Sequence, residues 1–222
     1  MPLAARHRAD PLPELPPVPG LRVARSDDVA LLARLQGRDR ASLAARLASG
    51  HHAYVAWLDA EPAAWGWVAT QTADIGELGA TLRLPAGERY LWNFVTLSSH
   101  RGHGIYPRLL DAIVRAESAV QCWIAYAPEN RASGAGIRKA GFTTLAALSF
   151  DAAGRPAVQE RHPGGGAAAA RLLGLPHVAG ALAPCWRCVR ARRAGGGGHG
   201  AMTCAAGTCR CDYQQPTSGC AA

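Results

Sequence analysis

Long apolar runs are missing from this chain. No stretch of about 18 consecutive apolar residues occurs, so no membrane-spanning helix is expected. Residues 1–20 are Pro-rich with early Arg and Asp and lack the apolar core of a secretory signal, so they are expected to be disordered and the protein cytoplasmic. Lysine is nearly absent: of 24 basic residues, Lys139 alone is not arginine, a skew that coding composition explains better than function. No Gly-Lys-Ser/Thr follows a glycine loop, which excludes a Walker site. The Gly-x-Gly turn at Gly102 and Gly104 lacks a third glycine, which excludes the Rossmann fingerprint there. Seven cysteines, an odd number with no leader before them, argue against a secreted disulfide framework.

What is present fits one ordinary domain with a full core, plus tails, in 222 residues. The formal net charge is +8. Part of it lies in Val189–Arg193, VRARR, beside a glycine run. No aromatic interleaving or nucleic-acid motif accompanies that stretch, so it reads as a solvated tail and no nucleic-acid partner is expected.

The most informative stretch is Arg101–Leu110, RGHGIYPRLL, directly after the apolar run Tyr90–Leu97. A strand ends in an Arg-Gly-x-Gly loop and a helix begins beyond it. Glycines there let several N–H groups converge, and the helix adds the positive end of its dipole, which makes a site for a phosphate-type anion. Ile105, Leu109 and Ile113 recur at helical spacing, and Pro107 suits the first turn. Downstream, Gln121–Ala127 reads as a strand. Asn130 is a helix cap before Arg131–Ala140, and Gly141-Phe142 leads into a strand over Thr143–Phe150.

In these two motifs the chain resembles the GNAT N-acetyltransferase superfamily over residues 20 to 150. The acetyl-CoA motif Arg/Gln-x-x-Gly-x-Gly/Ala appears with Arg101, Gly104 and Tyr106, the tyrosine standing where a small residue is usual. The Asn-led motif appears as NRASGAGIRKAGF, Asn130 to Phe142. The resemblance implies an α/β fold: a mixed, mostly antiparallel sheet with helices on both faces. It implies acetyl-CoA as co-substrate and a small-molecule or peptide amine as acceptor, with room for a homodimer.

The same resemblance implies roles for particular residues. Backbone groups of Phe94, Val95 and Thr96 would bond pantetheine where the strand splays from its neighbour, and an N–H near Val95 would polarise the acetyl carbonyl. Arg101, Gly102, His103, Gly104, Ile105 and Tyr106 would hold the pyrophosphate, although a solvated loop charge also accounts for Arg101. Asn130 and Ser133 would lie near the cofactor arm, and capping alone also accounts for Asn130. Gly134 and Gly136 are poor helix formers, each costing about 1 kcal/mol relative to Ala, so either the cofactor or the sheet is expected to pack closely there. The position of the family's acidic tyrosine is Ile137, which has no proton to donate. Tyr126, then Tyr106, are the substitutes. Glu77, Glu88, Tyr90 and Asn93 are the candidates for the base, with Glu77 preferred, Glu88 read as a turn charge and Asn93 as a buried polar group facing the acceptor.

Short elements complete the layout. A strand at Leu21–Ala24 precedes helices over Asp27–Gly37 and Arg40–Ser49. A hairpin joins Ala53–Leu58 to Ala63–Thr70, and a third strand lies within Gly76–Arg83. The domain is expected over residues 21–160. A linker with a short helix and a last strand would follow over 161–193, then a flexible Gly/Cys-rich tail over 194–222. Cys122 reads as a buried strand residue. Cys185, Cys188, Cys204, Cys209, Cys211 and Cys220 crowd the C-terminal region. CWRC has zinc-knuckle spacing, and thiolates at the spacings of this tail suit zinc or copper(I), so a metal-binding protein acting through its Cys-rich tail stays an alternative. In the competing reading PCWRCVRA is the last strand, where residues three apart point to opposite faces, and no residue is named as a metal ligand.

Overall fold

The computed structural model describes residues 1–183. In chain order the elements are β1 (Pro2–His7), β2 (Leu21–Arg25), α1 (Val29–Gln36), α2 (Arg40–Ala48), β3 (His52–Leu58), β4 (Glu61–Ala69), β5 (Thr72–Ile75), β6 (Ala80–Arg83) and β7 (Glu88–Thr96). They continue with α3 (Ile105–Glu117), β8 (Gln121–Ala125), α4 (Arg131–Lys139), β9 (Thr143–Phe150), β10 (Pro156–Glu160) and α5 (Gly165–Leu173). Eight strands form one sheet in the order β10-β9-β1-β8-β7-β4-β3-β2, while β5 and β6 make a separate hairpin. Only β7 and β8 run parallel; the other pairings in the sheet are antiparallel. The mixed, mostly antiparallel sheet of the expected α/β class is therefore present.

Alternation along the strands directs apolar residues to both faces. On β3, Tyr54 and Ala56 pack with Leu109, Leu110 and Ile113 of α3, and Ala53 and Val55 pack with Leu32 and Leu43 of α1 and α2. Asp28 and Asp39 cap those two short helices through backbone N–H groups of Leu31 and Ser42.

Residues 1–20 are not disordered as expected. Pro2–His7 is an interior strand, antiparallel to β8 on one side and β9 on the other. Leu3, Ala4 and Ala5 are all buried, so a central strand with both faces covered shows no alternation to read. Arg6 is 2% exposed and ion-paired to Asp111 of α3 at 2.8 Å. The following Pro-rich segment crosses the outside of α3, where the Arg108 guanidinium donates to the Pro16 carbonyl.

The segment expected as a linker after residue 160 also packs on the domain. Ala169, Leu172 and Leu173 of α5 enter the same apolar cluster as Leu3, Trp123 and Leu148. Gly165 lies so close to Leu145 that a Cβ would meet its carbonyl oxygen at 2.6 Å. The third strand expected within Gly76–Arg83 is β6, paired with β5 across a turn that contains Glu77. The six C-terminal cysteines, the expected last strand and the flexible tail lie outside the described residues.

Candidate functional site

The site begins where two parallel strands part. Pairing of β7 with β8 runs from Glu88↔Gln121 to Leu91↔Ile124 and stops, although β7 continues to Thr96. On its other edge β7 stays joined to β4, with Trp65↔Val95 and Ala64↔Thr96. A register shift between Trp65 and Trp67 sets Asn93 and Phe94 opposite the single residue Gly66. Asn93 takes up the extra length in a left-handed conformation, φ 53°. Gly66 is what the bulge requires: a Cβ there would run into the Phe94 ring.

Beyond β7, the chain turns through Ser98–His100 into the Arg-Gly-x-Gly loop. Gly102 and Gly104 both have positive φ, 84° and 68°, and Gly104 is the cap of α3. The open edge of β7, this loop and α4 enclose a cavity of about 650 Å³. Phe94, Val95, Thr96, Arg101, Gly102, Gly104, Ile105, Tyr106, Asn130 and Ser133 all line it. His103 does not; it is exposed beside the loop. Arg101 is exposed and donates from Nε to the Thr96 carbonyl at 3.2 Å, bracing the loop against the strand.

Asn130 both caps α4, accepting the Ser133 N–H at 3.0 Å, and lines the cavity. Gly134 and Gly136 lie against two tyrosine rings, and Gly136 also lines the cavity. A Cβ at Gly134 would meet Tyr126, and one at Gly136 would meet Tyr106. The Tyr106 hydroxyl lies 3.3 Å from Ser133 Oγ, and its ring stacks at a tilt on Phe94, 5.7 Å between centroids. Burial pushes this phenol up to about 12. Ile137 is 1% exposed in the core, so it offers the cavity nothing.

The three residues expected to carry catalysis, Glu77, Asn93 and Tyr126, line a second cavity of about 470 Å³. Successive residues of β7 divide the two spaces: Trp92 and Asn93 belong to the second, Phe94, Val95 and Thr96 to the first. Asn93 is exposed, not buried; the bulge turns it out of the strand's alternation. The strand expected over Gln121–Ala127 would have included Tyr126. Tyr126 follows the last residue of β8, and its ring touches α4 from the second cavity's side. Tyr90 lines this cavity too. Burial, then the charge of Glu77, raises its phenol. Glu88 is no turn charge: it opens β7 and accepts the Trp123 indole N–H at 2.5 Å.

No family model matches the sequence, and no curated protein matches it. Solved structures do resemble the fold. The chain is similar in structure to known N-acetyltransferases. A Bacillus subtilis acetyltransferase in complex with CoA is 16% identical, with 59% of this chain and 81% of that one covered and a TM-score of 0.43. AAC(6')-Iy in complex with the bisubstrate analogue CoA-S-monomethyl-acetylneamine is 16% identical, with 59% and 96% covered and a TM-score of 0.45. A GCN5-related N-acetyltransferase from Kribbella flavida is 17% identical at a TM-score of 0.38; the match takes in 64% of this chain and only 53% of that protein's length.

Sequence reasoning missed three contributors. His100 and Lys139 also line the first cavity, and Lys139, the chain's single lysine, puts a cation at the far end of α4. Arg46 stacks between Trp67 and Trp92, 4.7 and 4.5 Å from the ring centroids, and lines the second cavity. Only the lone lysine left a sequence signal. The arginine stack depends on strands and a helix distant in sequence. Cys122 is buried as expected, its thiol pushed up to about 12 chiefly by burial. Among the described residues no helix is long and apolar enough to cross a membrane.

Proposed function

We propose that this chain is an acetyl-CoA-dependent N-acyltransferase that moves an acetyl group to a primary amine by direct attack in a ternary complex. The observation that carries this reading is the parting of β7 from β8 with a cavity on each side. One cavity has unpaired strand edge, two positive-φ glycines and a helix N-terminus, which suit an amide-bearing chain ending in pyrophosphate. The other has two arginines on one wall and, on the other side, two carboxylates and two phenols, the groups that suit an amine.

In this reading Phe94, Val95 and Thr96 offer main-chain groups to the pantetheine, and the Val95 N–H lies against the thioester oxygen. Arg101, Gly102, Gly104, Ile105 and Tyr106 surround the pyrophosphate, with Asn130 and Ser133 on the facing helix; His103 adds charge from outside. Glu77, through water, accepts a proton from the acceptor ammonium, and Asn93 orients the amine. The amine nitrogen bonds to the acetyl carbon, the C–S bond breaks, the thiolate takes a proton from Tyr126, and the second proton on the nitrogen passes through water to the Tyr126 phenolate, leaving a neutral amide.

The buried Ile137 favours one other reading, an acyl-CoA-binding domain without turnover. Calorimetric titration with acetyl-CoA, followed by thiol release with a panel of amines, tests both. Micromolar binding with amine-dependent thiol release is expected. Binding without release selects the second reading, and a folded protein that binds no acetyl-CoA overturns both.

A further inference from the structure

The second cavity carries charge of both signs, arranged in two groups. Arg38 and Arg46 come from the end of α1 and from α2; Asp74 and Glu77 come from β5 and the turn after it. Arg46 is partly buried, and Arg38 is close enough to oppose its charge, so two like charges are held near each other. Among the described residues neither guanidinium has a carboxylate within ion-pair distance. The Arg46 Nη1 is buried and makes no hydrogen bond with the protein. Its stacking on Trp67 and Trp92 fixes the planar fork but satisfies none of its N–H groups. A partly buried guanidinium held flat, beside a second one and with no carboxylate in ion-pair distance among the described residues, is a host for a carboxylate.

Asp74 is already engaged, accepting the Thr81 hydroxyl at 2.6 Å. Glu77 makes no such bond among the described residues and lies near enough to Tyr90 to raise its phenol. An amine alone would be attracted to Glu77 and repelled by the two arginines. A carboxylate alone would meet the reverse. A molecule carrying both groups satisfies both walls.

We infer that the acceptor is a zwitterion: an amine that also bears a carboxylate, its carboxylate taken by Arg46 with Arg38 and its ammonium turned to Glu77. This inference rests on the acetyl-transfer reading for the identity of the cavity and adds the class of molecule it admits. A volume of about 470 Å³ has room for a free amino acid.

The test uses matched probes with the full chain: phenylalanine against phenethylamine, histidine against histamine, lysine against cadaverine. With acetyl-CoA, the carboxylate-bearing member of at least one pair is expected to have a kcat/KM at least about tenfold higher, the scale of one charge-assisted contact. Arg46→Met keeps a long side chain between the two indoles and should bring that ratio toward one. Arg38→Ala, at an exposed position, should lower it in part and guards against a folding defect in the first variant. Equal rates within every pair, or a ratio that survives both substitutions, overturn the inference while leaving acetyl transfer intact. Calorimetric titration of the same probes separates the two claims. Amino-acid binding that Arg46→Met abolishes, without thiol release, upholds the zwitterion site and counts against transfer. No binding of any amino acid and no release overturns both.

Discussion

Arg6 of β1 donates to Asp111 of α3 at 2.8 Å, and the same Nη1 donates to the carbonyl of Ala140 at the end of α4. One guanidinium, 2% exposed, therefore ties the interior strand to both helices that flank the first cavity. Asp111 also accepts from Arg115, which is half-exposed. Removing Asp111 leaves the buried Arg6 without its counter-charge, at a cost of about 3 kcal/mol or more, whereas removing Arg6 leaves a part-exposed Asp111 still paired with Arg115. Asp111→Asn should therefore lower the unfolding free energy by that order in urea titrations and Arg6→Met by less, and the double variant should lose much less than the sum. An additive double variant would show the pair to be uncoupled.

Gly104→Asp should abolish acetyl-CoA binding in a folded protein. The substitution forces a side chain onto a φ of 68° and sets a carboxylate where an anionic group is to bind. The strain alone costs about 1 kcal/mol. Calorimetry with acetyl-CoA, read beside a melting curve, checks it. Unchanged affinity would remove the pyrophosphate from this loop.

Glu77→Gln and Tyr126→Phe should each lower kcat by about 10² or more while leaving the affinity for acetyl-CoA within a few fold. Gly134→Ala provides a geometric companion. In an isolated helix it would stabilise by about 1 kcal/mol. Here the new Cβ would lie 2.7 Å from the Tyr126 ring, so the tyrosine must move. Steady-state kinetics should show reduced kcat with little change in melting temperature.

Glu117 predicts a pH dependence of stability. Burial alone would raise its carboxyl, but donors from His52 at 2.7 Å, Tyr54 at 2.8 Å and Arg89 at 2.9 Å outweigh it and hold the group below 4.5. A carboxyl depressed on folding contributes its full stabilisation above its unfolded value and loses it as pH falls through the folded one. Urea unfolding between about pH 6 and pH 3 should therefore show a falling stability that is flatter in Glu117→Gln. An identical slope in the variant would exclude this cluster as a source.

The sequence made the Arg-Gly-x-Gly loop legible because glycines and a helical period are local signals. Gly102, Gly104 and the Ile105–Leu109–Ile113 stripe could be read without knowing any partner. The succession of elements along the chain from β2 to β9, apart from β5, was equally accessible, since its turns and caps lie in the sequence itself. β1 was not, because three buried apolar residues in a row between Pro2 and Arg6 carry no period, and their burial depends on strands more than 110 residues away. The bulge at Asn93 was hidden for a related reason: its cause, Gly66, stands on another strand. Arg46 was read only as part of a helix, since its stack is assembled from β4 and β7.

The position of β1 bears on the order of events during synthesis. Leu3 pairs with Ala125 and Ala146, so the strand that completes the middle of the sheet leaves the ribosome long before either neighbour exists. Until Thr143–Phe150 has emerged, Leu3–Ala5 has no ladder to join and the edges of β8 and β9 have nothing between them. Closing pairings of such long separation is slow, and unpaired strand edges invite association with other chains in the meantime. Yield of folded protein should thus depend on how fast the stretch from Gln121 to Phe150 is translated.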